Sequence, residues 1–222
     1  MELKAIGFDI DGTLYPEYRI RWRALSYFLR HIRLLVAFAR TRKRMRSGQV
    51  SETYDVDGIE IAVLAKELGC GIEKARKLRD RLIYRGWEKY FQGMKLYPGV
   101  SSSLRKLKNA GLKLAVLSDF PVGRKLEYLG LEGIFDVVLG FPESGQLKPH
   151  REPFVRMANR LNVDPCNMMY VGNKLAYDVW GSENAGMRGV LFASSRHRVS
   201  LGVTTYTSFP QLTESILLEV TK

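Results

Sequence analysis

The chain has 222 residues, a net charge of +12, 45% hydrophobic and 26% charged residues. That is enough sequence for one large domain or a core with a smaller insertion, with the composition of an ordinary globular protein. No apolar run approaches the roughly 18 residues needed to cross a membrane, and the two cysteines, Cys70 and Cys166, lack metal-ligand or disulfide-framework spacing. No cleavable leader is expected ahead of the first strand, so a cytoplasmic protein is the default expectation.

Leu3-Lys4-Ala5-Ile6-Gly7-Phe8 reads as a short, largely apolar strand of the kind buried in a parallel sheet. Where it should run out, Asp9-Ile10-Asp11-Gly12-Thr13-Leu14 places two carboxylates one residue apart, followed by a glycine that permits a sharp turn. In open parallel sheets ligands bind outside the carboxyl ends of the strands, so both acids would face a site. Asp9 would address a substrate, while Asp11 offers a backbone carbonyl to a cation and a carboxyl to a proton. A polar strand-to-turn junction accounts for the same residues, since Asp and Gly favour turns.

Residues 15–97 differ from the rest. They carry 19 Lys and Arg against 9 Asp and Glu, and Arg19 to Arg46 holds ten basic residues and no acidic one. Leu25, Phe28, Leu29, Ile32, Leu35, Val36 and Ala39 fall at helical spacing. Further helical patterns run from about Ile59 to Leu68 and from Ile72 to Phe91, with no strand alternation. The run Arg40-Thr41-Arg42-Lys43-Arg44-Met45-Arg46 is open to three readings: a solvated helix end, an attractor for an anionic substrate, or a surface for nucleic acid.

From Pro98 onward helices and buried strands alternate. Helices are expected near 101–110, 122–129, 151–161, 176–185 and 209–220. Strands are expected at Lys113-Leu117, Phe135-Leu139, Met168-Val171 and Gly189-Phe192. Alternation of this kind predicts an α/β fold, a Rossmann-like parallel sheet covered on both faces by helices. The expected organisation is a core of residues 1–14 and 98–222 interrupted by a helical insertion, 15–97.

Three further strand ends carry polar residues. Leu117-Ser118-Asp119 ends one strand with a hydroxyl and nearby N–H groups suited to a phosphoryl oxygen, or else with a helix cap. Lys148-Pro149 places an ammonium between a strand and the next helix. Val171-Gly172-Asn173-Lys174-Leu175-Ala176-Tyr177-Asp178 follows the next strand.

These four segments, in this order, resemble the signatures of the haloacid dehalogenase superfamily, most of whose members are magnesium-dependent phosphatases. The resemblance implies an all-helical cap domain over the site, a magnesium ion, and a small phosphorylated substrate. It implies Asp9 as nucleophile forming an aspartyl phosphate and Asp11 as general acid and base, with Ser118 and Lys148 as further catalytic groups. Gly12, Thr13, Ser118, Asp119 and Lys148 would bind substrate. Asp9, Asp11, Asn173 and Asp178 would hold the metal. One departure stands out: relatives carry an acid where this chain has Asn173, which weakens the expected metal site. The alternative is a weakly active or silent relative that uses its basic cap on nucleic acid, acidic membrane or a protein partner. Substrate and oligomeric state are not legible in the residues.

Overall fold

A computed structural model describes residues 2–47, 55–193 and 202–220. Its centre is a six-stranded parallel sheet of order β3-β2-β1-β4-β5-β6, with β1 Ala5–Phe8, β2 Lys113–Ser118, β3 Val137–Gly140, β4 Met168–Gly172, β5 Arg188–Phe192 and β6 Thr205–Tyr206. β1 is flanked on both sides: Ala5 pairs with Lys113 and Met168, and Phe8 pairs with Val116 and Val171. All four of its residues are buried, which explains an apolar run with no alternation.

The two faces of the sheet are covered by different helices. On one face Ile6, Phe8, Leu114 and Val171 share a cluster with Leu104 and Leu107 of α6 (Val100–Asn109) and with Leu212 and Ile216 of α10 (Phe209–Val220). On the other, Ala5, Ala115, Leu117 and Tyr170 pack with Phe154, Met157 and Leu161 of α8 (Arg151–Leu161). Helices α8 and α10 lie where periodicity places them. β3 begins two residues later than expected, and β6, two residues long without an apolar pattern, was not foreseen.

Between β1 and α6 every described element is helical: α1 Glu17–Arg23, α2 Leu25–Arg30, α3 Ile32–Arg46, α4 Val56–Leu68 and α5 Ile72–Leu78. A wide π turn, Arg79–Tyr84, and a 3₁₀ turn, Glu88–Phe91, complete the cap. The backbone closes where the excursion returns, the Tyr97 N–H donating to the Leu14 carbonyl at 2.9 Å. The helical pattern through residues 25–39 is broken at His31, between α2 and α3. Of its apolar residues, Leu25, Leu29, Ile32 and Val36 are exposed. The cap's interior is built instead by Leu34, Ala37 and Phe38, which join a cluster with Ile61, Leu64, Ala75 and Ile83, while Ile20 of α1 joins the sheet's core. The long pattern expected from Ile72 to Phe91 likewise gives way to the π turn, which brings both Arg79 and Ile83 inside.

Under the cap cluster lies a buried charge network. Glu60, fully buried, pairs with Arg42 at 2.5 Å and with Arg79 at 3.1 Å, and it accepts a hydrogen bond from the Tyr84 hydroxyl. Arg79 also reaches Asp57 at 2.5 Å and Asp80 at 2.8 Å. Desolvated ions are tolerated when every charge has a partner, and removing one partner is costly. Glu60→Ala would leave Arg42 buried with no carboxylate beside it. It should lower unfolding stability by about 3 kcal/mol, read as a reduced urea midpoint, while Lys66→Ala on the same helix should change little.

Candidate active site

The carboxyl end of β1 delivers Asp9, whose N–H continues the ladder by donating to the Val171 carbonyl at 2.9 Å. The chain then turns, the Thr13 and Leu14 N–H groups both donating to the Ile10 carbonyl. Gly12 has φ +92°, and a Cβ there would lie 2.1 Å from the Asn173 amide nitrogen. Glycine is therefore required twice, for the backbone angle and for the approach of the β4 loop.

Asp9 is buried. One oxygen accepts from Lys148 Nζ at 2.8 Å and the other from the Thr13 hydroxyl at 2.9 Å. Burial pushes its carboxyl up to about 7, with Lys148 pulling the other way. Lys148, itself 3% exposed, also donates to Asp178 at 2.6 Å and to the Tyr170 hydroxyl at 3.1 Å. Burial works against its charge, but Asp178 and Asp9 prevail and hold the ammonium well above the usual lysine range.

Asp11 has different company. Lys125 Nζ donates to both of its oxygens, at 2.8 and 2.9 Å, and the Tyr15 hydroxyl donates to one of them. Against the effect of burial, Lys125 keeps the Asp11 carboxyl below the usual carboxylate range. Lys125 comes from α7 (Lys125–Tyr128) and lies over the Phe91 ring at 5.0 Å. Ser118, at the end of β2, accepts from the Phe120 N–H at 3.1 Å and lies 3.5 Å from Asp11.

The expected site residues therefore converge, but not all on one task. The Thr13 hydroxyl is spent on Asp9. The Asp119 side chain accepts from the Lys148 N–H at 3.0 Å and from Arg46 at 2.7 Å, and its carbonyl accepts from Arg42 at 2.7 Å. It joins the cap to the Lys148 loop, leaving only its N–H for an anion. Asp178 comes from a π turn, Leu175–Val179, just before α9 (Trp180–Asn184), and gives one oxygen to Lys148 and the other to the Lys174 N–H at 2.9 Å.

Asn173 stands against Gly12, and its side-chain oxygen is buried with no hydrogen-bond partner. A buried carbonyl oxygen without a donor is the kind of orphan a cation satisfies. Among the described residues no three His, Cys, Asp or Glu side chains gather as a ready-made metal site. Available instead are oxygens: the Asp9 carboxylate, the Asp11 carbonyl, the Asn173 amide and the remaining lone pairs of Asp178. An all-oxygen set of low charge fits magnesium and does not suit zinc.

Lys125, Tyr15, Tyr170, Arg42 and Arg46 were not singled out for this site by the sequence. Only Tyr15 carried a local signal, four residues after Asp11. The others reach the site from distant elements.

A protein-family model described as haloacid dehalogenase-like hydrolase matches residues 3–186. The chain is 30% identical over 202 residues to a glyceraldehyde 3-phosphate phosphatase of Methanopyrus kandleri, covering 83% of this chain and 82% of that one. It is 27% identical over 209 residues to a phosphoglycolate phosphatase of Salmonella paratyphi A, covering 85% and 80%. In fold it resembles the crystal structure of a HAD phosphatase from Thermococcus onnurineus, with TM-score 0.62, 22% identity and coverage of 96% and 98%.

Gly12→Ala should cost about 1–2 kcal/mol from the left-handed backbone alone. It should also displace Asn173, so catalytic activity should fall by more than the stability loss accounts for. Thermal unfolding and steady-state kinetics on the same preparation check this.

Proposed function

The chain belongs to the haloacid dehalogenase-like hydrolases and is a phosphoric monoester hydrolase, and we propose that it cleaves a small phosphorylated metabolite by a magnesium-dependent, two-step reaction through Asp9. The observation that carries this reading is the separation of roles between two acids at one strand end. Asp9 touches Lys148 and is sealed from solvent, while Asp11 faces a cavity and is held by Lys125 and Tyr15.

Asp9 attacks phosphorus in line with the departing oxygen and forms an acyl phosphate. Lys148 keeps that carboxylate pointed at the reaction centre and offsets its charge against the incoming phosphate, so that like charges can approach. Asp11 is ionised beside Lys125 in the free protein; it takes the proton of the entering monoanionic phosphate ester, passes it to the leaving oxygen, and later takes one from the water that opens the intermediate. Ser118 and the Asp119 N–H would take the equatorial oxygens of the phosphoryl group. Bound by Asp9, the Asp11 carbonyl, Asn173 and Asp178, magnesium would supply charge neutralisation of the transferring phosphoryl group.

The competing reading, a weakly active or silent relative using its basic cap on nucleic acid, acidic membrane or a protein partner, needs an available run from Arg40 to Arg46. Arg42 is 4% exposed and paired with Glu60, Arg44 pairs with Glu67 at 2.9 Å, and Arg46 is tied to Asp119. Much of this run's charge is committed within the fold, which favours the enzyme. Among the described residues no helix is long and apolar enough to cross a membrane.

Asp9→Asn should reduce turnover by on the order of 10³-fold or more. Asp11→Asn should cost about 10²-fold or more with alkyl esters, and least with p-nitrophenyl phosphate, whose leaving group needs little protonation. Asp9→Asn activity equal to wild type would end the covalent mechanism.

Asn173→Asp adds an anion beside the proposed cation. It should move magnesium half-saturation to lower concentration, both in activity and in the rise of melting temperature with added magnesium. Superimposable titrations of the two proteins would show that residue 173 does not face the metal.

A further inference from the structure

Above Asp11, between cap and core, lies a cavity of about 500 Å³. Its floor is Asp11, Tyr15 and Lys174, and its walls are mostly apolar, among them Phe28, Leu35 and Phe38 from the cap helices, Leu82, Trp87 and Phe120. Of the polar groups, the Tyr15 hydroxyl is bound to Asp11, and Arg21 pairs with Glu17 at 2.8 Å at the exposed rim. Lys174 remains at the floor, near the phosphate end.

The geometry assigns this cavity to the leaving group, and we propose that the preferred substrate is a phosphate monoester of an apolar alcohol, aliphatic or aromatic. The inference rests on the phosphatase reading above, in which the atom that leaves phosphorus must meet the Asp11 carboxyl. Asp11 is part of the cavity floor, so whatever is attached to that atom extends into the space above it. A cavity of this size accommodates a drug-sized or smaller group. Away from Lys174 on the floor and the Arg21–Glu17 pair at the exposed rim, a carboxylate or a row of hydroxyls would give up its water without gaining partners, since the wall there offers rings and methyl groups. An alkyl chain or ring gains affinity with every buried methylene. Preference for such esters would set this chain apart from the relatives named for phosphoglycolate and glyceraldehyde 3-phosphate, whose leaving groups are small and polar.

A homologous series tests this directly, because the leaving alcohols of ethyl, butyl and hexyl phosphate have nearly the same acidity and differ only in apolar length. With magnesium present, kcat/KM should rise roughly fourfold per methylene, and hexyl phosphate should be a better substrate than glycerol 3-phosphate or phosphoglycolate. A flat series, or a preference for the polar esters, would overturn the proposal while leaving the phosphatase reading intact. Ala39 lines the same space and is exposed to it, so Ala39→Phe fills the cavity without crowding the core. It should depress kcat/KM for hexyl phosphate at least tenfold more than for ethyl phosphate; an equal effect on both counts against the assignment. Calorimetric binding of hexylphosphonate and ethylphosphonate reads the cavity without turnover. Tighter binding of the longer chain with no hydrolysis of any ester, p-nitrophenyl phosphate included, would keep the cavity assignment and remove the phosphatase reading. Equal binding would remove the cavity assignment.

Discussion

Three carboxylates and two ammonium groups meet at the end of the central strands, all buried but Asp11, and the site depends on how they pair. Lys148 stands between Asp9 and Asp178, while Lys125 holds Asp11 by both oxygens. Without Lys148, two buried anions would face one another at the end of the central strands, and a phosphate could not be added to them. Without Lys125, Asp11 would share that field. In the proposed reaction, the division into two separately neutralised acids would let one strand end present a nucleophile and a proton carrier two residues apart.

That arrangement ties the cap to the chemistry. The Lys148 loop is held by the Asp119 side chain, Asp119 is held by Arg46, and Arg46 also donates to the Lys148 carbonyl at 2.9 Å. Arg42 adds a bond to the Asp119 carbonyl from the interior of the cap's own charge network. Arg42 and Arg46 thus join the two halves of the fold at the site. Arginine suits this use, since a planar guanidinium satisfies several acceptors at once where an ammonium would act as a point charge.

The same contacts define the leaving-group cavity. Phe38 and Phe120 sit on opposite sides of the cap–core boundary with ring centroids 6.1 Å apart, and Trp87 lies 5.7 Å from Phe120. Their rings form a continuous apolar wall ending at Asp11. Polar chemistry is confined to the sheet end of the site and apolar selection to the cap, a separation that allows the cap to change its preferences without disturbing the reacting groups.

The amino-acid order by itself determined the parallel sheet, its helical interruption, the strand ends that carry Asp9, Ser118 and Asn173, and the loop before α8 that carries Lys148. These are local signals, buried apolar runs and helical spacing, readable because each strand's burial is imposed by a sheet covered on both faces. It did not determine that Lys125 grips Asp11, that Arg42 and Arg46 turn inward, or which face of α3 the cap buries. Those depend on residues separated by long stretches of chain, 114 positions between Asp11 and Lys125 and 73 between Arg46 and Asp119. A charged residue's composition and spacing are the same whether it meets water or a carboxylate. Only the packing of cap against core withdraws water from these groups, and with water gone each charge must find its partner.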